Sequence, residues 1–233
     1  MIDYKYVYLI SNASAIPVWL LLFSMKRLRR KMLVMSVVCT PLSPLSELLY
    51  TRDYWQPRYA LPLGGVGVED LLAGFLLGGI SPVLFEAVFA GSAEPAAAGR
   101  ASVATFFTML AGSVLGLIVL TLGLGLNSIY ATVLLCLGFG TYMVVKRPDL
   151  LPVAIGNALL FLLLIVPAYL VFGWFFPRIF EIGWKIDRLS GWFVAGVPVE
   201  EIIWAFSWGY FAGPAYQFWA GLRLVPRSIR GGP

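Results

Sequence analysis

Seven apolar stretches alternate with short polar loops along the chain, at 6–23, 32–50, 66–90, 101–120, 129–145, 150–172 and 192–222. Each is close to the ~20 residues that a helix needs to cross a bilayer core. The fifth is the shortest, and the third and seventh are long enough to tilt or to protrude. Little chain is left over for a soluble domain. The pattern predicts an all-α polytopic membrane bundle of about seven helices. A composition of 60% hydrophobic and 12% charged residues agrees.

The charges divide by sign. Every Lys and Arg falls outside the apolar runs, whereas Glu47, Glu69, Asp70, Glu86, Glu200 and Glu201 fall inside the runs or at their ends. Basic residues orient a membrane protein. Lys26, Arg27, Arg29, Arg30 and Lys31 follow the first run; Arg100, Lys146, Arg147, Arg223, Arg227 and Arg230 share their side. The opposite side holds fewer: Lys5, Arg52, Arg58, Arg178, Lys185 and Arg188, interleaved with Asp3, Asp53, Glu181 and Asp187. This puts the first set in the cytoplasm, and the expectation is a protein of the cytoplasmic (inner) membrane with the N-terminus outside and the C-terminus inside. Lipid headgroups could also meet the cluster around Lys26–Lys31, although a topology signal is its simpler role. The N-terminus lacks the basic region of a signal peptide, so the first run is expected to be retained. The acids have no basic partner in the runs, and ionisable groups there are functional candidates by default.

Two acidic pairs open apolar runs in matching context. Gly196-Val197-Pro198-Val199-Glu200-Glu201 begins the last, and Gly65-Val66-Gly67-Val68-Glu69-Asp70 the third, 131 residues earlier. The same offset relates Phe75 to Phe206, Gly78 to Gly209 and Glu86 to Gln217. One such pair could be a helix cap, since helix N-termini favour acids. Two in register suggest a duplicated unit with a polar site between the halves. Three spans make an odd number, so a linker span is needed to keep the second unit upright. The fourth run, uncharged, with Ala111, Gly112 and Gly116 for close packing, fits that role. The units are then 1–100, a linker helix at 101–125, and 126–233. Both acidic pairs and Glu47 face the outer side. Glu86 lies about 25 Å beyond Glu69 at helical rise, outside any shared pocket.

The residue inventory removes several chemistries. There is no His, hence no His-based acid–base work, His metal site or Ser-His-Asp triad. Cys39 and Cys136 sit inside apolar runs and read as small hydrophobes. A rhodopsin would need a Schiff-base Lys in the last span, which has none. Intramembrane CAAX-type proteases pair their Glu-Glu with Arg and His, but here Ala205 stands four residues after Glu201. Most loop aromatics, Trp55 and Trp184 among them, read as interface anchors. Trp204 and Trp208 follow Glu200 at +4 and +8, which puts them on its helix face, either as packing or as walls for a cation.

The Pro198-Val199-Glu200-Glu201 motif, its echo at Gly67-Val68-Glu69-Asp70 and the three-linker-three layout resemble the membrane lycopene cyclases, the heterodimeric bacterial type and its fused archaeal and fungal relatives. Asp53–Pro57 (Asp-Tyr-Trp-Gln-Pro), Phe75–Ile80 and Gly196–Tyr210 look closest to a bacterial branch carrying this domain. The resemblance implies a two-repeat helical fold and non-redox cyclisation of a carotenoid ψ-end group, started by a proton. It carries the acidic motif onto Glu200, Glu201, Glu69 and Asp70 as catalytic residues, with Gly67 departing from the proline. Glu47, Trp55, Trp204, Trp208 and Pro198 become substrate-binding candidates. Glu200, aligned with Glu69, is the leading acid. No cofactor, metal, flavin or nucleic acid is implied. The expected partners are a carotenoid or other prenyl lipid, membrane lipids, and a second copy or homologous chain. Two other readings of the residues stay open: a proton-coupled transporter and a non-catalytic carotenoid or prenyl-lipid binder.

Overall fold

The computed structural model describes residues 3–97, 99 and 101–226, without the side chains of Val103, Phe106 and Pro226. Arg100, Arg227 and Arg230, part of the basic set used for orientation, lie outside the described residues. Most of the described chain is helical. α1 (Val7–Ser14) and α2 (Ile16–Ser24) form a first rod bent at Ala15, where Pro17 enters the first turn of α2. α3 (Arg29–Asp53) returns. A hairpin of β1 (Pro62–Leu63) and β2 (Val66–Gly67) leads into α4 (Val68–Ile80). A 3₁₀ turn holding Pro82 joins α4 to α5 (Leu84–Phe89), and β3 (Ala90–Pro95) follows. α6 (Val103–Ile118) ends in a π turn. Next come α7 (Ser128–Lys146), α8 (Leu151–Phe175) and the short α9 (Ile179–Gly183). A second hairpin, β4 (Phe193–Val194) and β5 (Val197–Pro198), leads into α10 (Val199–Ala220) and then β6 (Leu222–Pro226).

Among the described residues, five helices are long and apolar enough to cross a membrane: Tyr4–Ser24, Arg29–Asp53, Val68–Phe89, Ser128–Lys146 and Pro148–Phe175. They coincide with the first, second, third, fifth and sixth apolar runs. The fourth run gives a shorter apolar helix at Phe107–Gly123. In the seventh, residues 192–198 form the hairpin and only then does α10 begin. Pro198 accordingly stands at the N-cap, one step ahead of the first helical turn.

Close helix contacts explain the glycines. A Cβ at Gly78 of α4 would stand 2.4 Å from Cβ of Cys39 in α3; one at Gly209 of α10 would stand 2.8 Å from Cα of Ala158 in α8. The two helix pairs thus meet almost backbone to backbone, as small residues allow in membranes. α10 also lies on α7, and α6 rests against α7 through Gly112 and Gly116. One apolar cluster centres on Trp19, Leu28, Met32, Ile80 and Val83. A second gathers Tyr54, Ile129, Phe180, Trp184 and Val197 at the opposite end. There Asp53 accepts from Ser128 at the start of α7, and Lys185 donates to the carbonyls of Thr51 and Arg52.

Two expectations are corrected. Basic residues are not all confined to the loops: Lys31 lies within α3, buried, with Nζ 3.5 Å from Oε2 of Glu86. The membrane interior therefore does hold a basic partner for an acid, and Gln217 Nε2 approaches the same oxygen at 3.5 Å. Nor do the loop aromatics act alike. Trp174 and Trp192 are exposed, as interface anchors would be, but Trp184 is buried.

Candidate active site

Consecutive residues on a helix point about 100° apart, and this separates the two acids that open α10. Glu200 turns to its own hairpin. Its Oε1 accepts from the amide of Ser190 and from the hydroxyl of Tyr130, both at 2.7 Å. Glu201 turns inward: its Oε1 accepts from Trp184 Nε1 at 2.6 Å, and its Oε2 accepts from the hydroxyl of Tyr169. Both carboxyls are buried.

The earlier copy has a related division. Glu69 Oε1 accepts from the amides of Ala60 and Leu61, at 2.6 and 3.0 Å, and so ties the first hairpin loop to α4. Asp70 Oδ2 accepts from the Gly67 amide at 2.7 Å, a cap that a proline could not supply. A Cβ at Gly67 would also meet the Tyr59 ring at 2.2 Å. This is the physical reason for glycine where the second copy has Pro198. The phenols of Tyr8 and Tyr59 stand near Asp70. Burial, with Asp70 and Glu47 close by, pushes the Tyr59 phenol up.

A cavity of about 960 Å³ runs between the helices. It is lined by faces of α1, α3, α4, α6, α7, α8 and α10, and its walls are mostly apolar. Two carboxylates reach them, Glu47 and Glu201. Glu47 Oε2 accepts from Trp55 Nε1 at 2.6 Å, as Glu201 does from Trp184. The two indoles meet, with ring centroids 5.6 Å apart and a backbone bridge between the residues. Tyr50 lines the cavity as well, and its hydroxyl shares a hydrogen bond with that of Thr132. Trp204 and Trp208 line the same cavity, on the α10 face of Glu201.

Of the residues proposed from sequence, the cavity therefore gathers Glu47, Glu201, Trp55, Trp204 and Trp208. Glu69, Asp70, Glu200 and Pro198 are buried or packed behind it and do not line it. Tyr8 lines the cavity on the side nearest Asp70. A second, polar cavity of about 630 Å³ lies over Trp184 and is edged by Glu181, Lys185, Asp187 and Arg188. No group of three or more Cys, Asp or Glu side chains among the described residues is placed to hold a metal ion.

An acidic pair after a hairpin, with one acid on the loop and one on an apolar cavity, is the geometry against which to set the known families. Residues 127–219 match the lycopene cyclase family. The match spans α7 to the end of α10 and includes Glu200, Glu201, Trp204 and Trp208. No curated protein and no solved structure gave a match. Tyr130 and Tyr169 inside the matched stretch, and Trp184 as a carboxyl partner, were not singled out from sequence for the site. Tyrosines on apolar runs carry no periodic signal, and nothing local says which acid a distant indole will reach.

Proposed function

We propose that the protein is a lycopene cyclase-like membrane enzyme, which closes the ψ-end group of a linear carotenoid without redox change. The observation that carries this reading is the pair Glu47 and Glu201, two indole-held carboxyls at one end of a long apolar cavity. The match at 127–219 supports it independently. Cyclisation needs a proton donor, a proton acceptor and a dry slot. Glu201 accepts on both oxygens, which suits a carboxylate; Glu47 accepts on one, leaving the other to carry a proton. In this scheme Glu47 breaks its O–H bond and protonates the terminal double bond. The tertiary cation is attacked by a double bond further along the chain, closing the ring with a new C–C bond. Glu201 then takes a proton from the carbon beside the new cation, and a C=C forms. Proton return from Glu201 to Glu47 resets the site, so the net change is an isomerisation. The faces of Trp204 and Trp208 would stabilise the cation. Glu200, Glu69 and Asp70 position the hairpins that close this end.

The test is expression in a lycopene-accumulating host with chromatography of the pigments. The wild-type chain should yield cyclic carotenoid. Glu47→Gln and Glu201→Gln, which keep size but cannot exchange the proton, should each lose about 10²-fold or more in product. Unaltered lycopene with the wild-type chain refutes cyclisation and leaves a transporter or a binding protein.

The seven-span, two-repeat layout is part of the same proposal. Equivalent residues of the two units meet at the seam. Glu86 touches Gln217, 131 residues on, and Ala93 pairs with Leu224 in the antiparallel β3–β6 ladder, again 131 on. Trp55 and Trp184, 129 apart, face each other at the other end. A two-fold axis makes equivalent residues neighbours in this way. α4 and α10 both begin at the Trp55–Trp184 end and finish at the ladder, which supports repeats that are not inverted. Arg27 and Arg147 lie at the ladder end, reaching carbonyls of Ala87, Ala90 and Leu222. Arg52, Lys185 and Arg188 lie at the other. This supports the ladder end as cytoplasmic and the acidic end as outer.

A further inference from the structure

The cavity has length as well as volume, and its ends differ. On α10 its lining runs from Glu201 to Trp219, eighteen residues and about 27 Å at helical rise. That is close to the ~30 Å of a bilayer core. Along α6 and the segments that flank it the lining runs over a comparable length, from Ala101 to Leu122. Both of its carboxylates stand at the end marked by Trp55 and Trp184. The opposite end is walled by Ala215, Tyr216, Phe218, Trp219 and Ala101, with no acid. The nearest charged pair there, Lys31 and Glu86, is engaged within the helix packing and is not part of the wall.

We propose that a linear polyene lies lengthwise in this cavity, so that only the end group beside Glu47 and Glu201 reacts during one binding event. The far end group rests among aromatic and small apolar side chains, with no carboxyl to protonate it. Closing the second end then requires release and rebinding in the reversed sense. Ala215, one helical turn short of Trp219, sets the room left for the far end. This rests on the cyclase reading for the reaction, but the lengthwise fit is a binding property.

The experiment uses the full chain in detergent or reconstituted membranes, with labelled lycopene for a short pulse and excess unlabelled lycopene as a chase. A free, labelled monocyclic product should form first, and the chase should suppress labelled dicyclic product at least tenfold. Dicyclic product that appears without free monocycle and resists the chase overturns the proposal. A second arm measures binding by co-purified polyene absorbance. Ala215→Trp should lower the ratio of full-length lycopene bound to a polyene truncated at one end by at least tenfold, and Ala215→Leu should shift it less. An unchanged ratio in both variants overturns the lengthwise fit. A wild-type chain that binds lycopene with the expected length selectivity but forms no ring refutes the cyclase reading and the one-ended reaction with it, not the fit.

Discussion

At the residue scale the two acids of one motif are asked to do different work. Glu200 and Glu201 are equally buried, but one holds a loop and the other borders a cavity. Glu200→Gln keeps an oxygen that can accept from Ser190 and Tyr130, so ring formation should stay within about tenfold of wild type, in contrast to the loss expected for a proton-transfer residue. Glu200→Ala removes both bonds, each worth about 1 kcal/mol or more to a charged acceptor, and should lower the yield of folded protein. Product per folded protein, by chromatography and detergent-stable fluorescence of a fused reporter, reads the difference. An inactive but fully folded Glu200→Gln chain would return the acid role to Glu200. The sequence could show that an acid here matters. It could not show which one, because Trp204 and Trp208 lie at +4 and +8 from Glu200 and at +3 and +7 from Glu201, and a helix admits both spacings on one face. Partners outside the helix, Trp184 and Tyr169 against Ser190 and Tyr130, decide the matter, and nothing in the local pattern names them.

At the scale of elements, the spanning helices were legible because twenty apolar residues in a row have few other uses. The hairpins before α4 and α10 were not, since each strand holds only two residues, too few for an alternating pattern. Their turns were visible only as Gly64-Gly65 and Ala195-Gly196, and in the second Ala195 takes a φ of 51°, a left-handed conformation unusual for a residue with a Cβ. The N-caps bring a sharper expectation. Gly67→Pro would delete the amide that Asp70 caps and drive a ring into Tyr59, losing about 0.5–2 kcal/mol for the cap and about 1–3 more for overpacking. Gly67→Ala keeps that amide and puts only a Cβ against the Tyr59 ring. Thermal unfolding midpoints in detergent should therefore fall further for Gly67→Pro than for Gly67→Ala. Equal shifts would mean that the cap on Asp70 contributes nothing and that the fit against Tyr59 alone keeps the glycine.

At the scale of the whole molecule, the indoles of Trp55 and Trp184 meet at one end, and Lys31, Glu86 and Gln217 gather near the β3–β6 ladder at the other. The 131-residue offset between Glu86 and Gln217 was legible in the sequence, but not that the two side chains would touch, because contact follows from how the helices pack and not from the spacing. Lys31 was hidden for another reason: five basic residues in a short stretch read as one topology signal, while the fold pulls the last of them inward and leaves Arg29 and Arg30 exposed. The Lys31 and Glu86 side chains are only 4% and 6% exposed. Removing one partner of such a pair strands a buried charge and typically costs about 3–5 kcal/mol, whereas replacing both can be nearly neutral. Lys31→Met alone should thus lower the unfolding midpoint in detergent sharply. Lys31→Met with Glu86→Gln, which makes the seam a Gln–Gln pair, should recover most of the loss. The double-mutant cycle measures the coupling directly. A double variant as unstable as the sum of its singles would show that Lys31 and Glu86 do not act as a pair, and that this end of the molecule is held by the ladder and the helix packing alone.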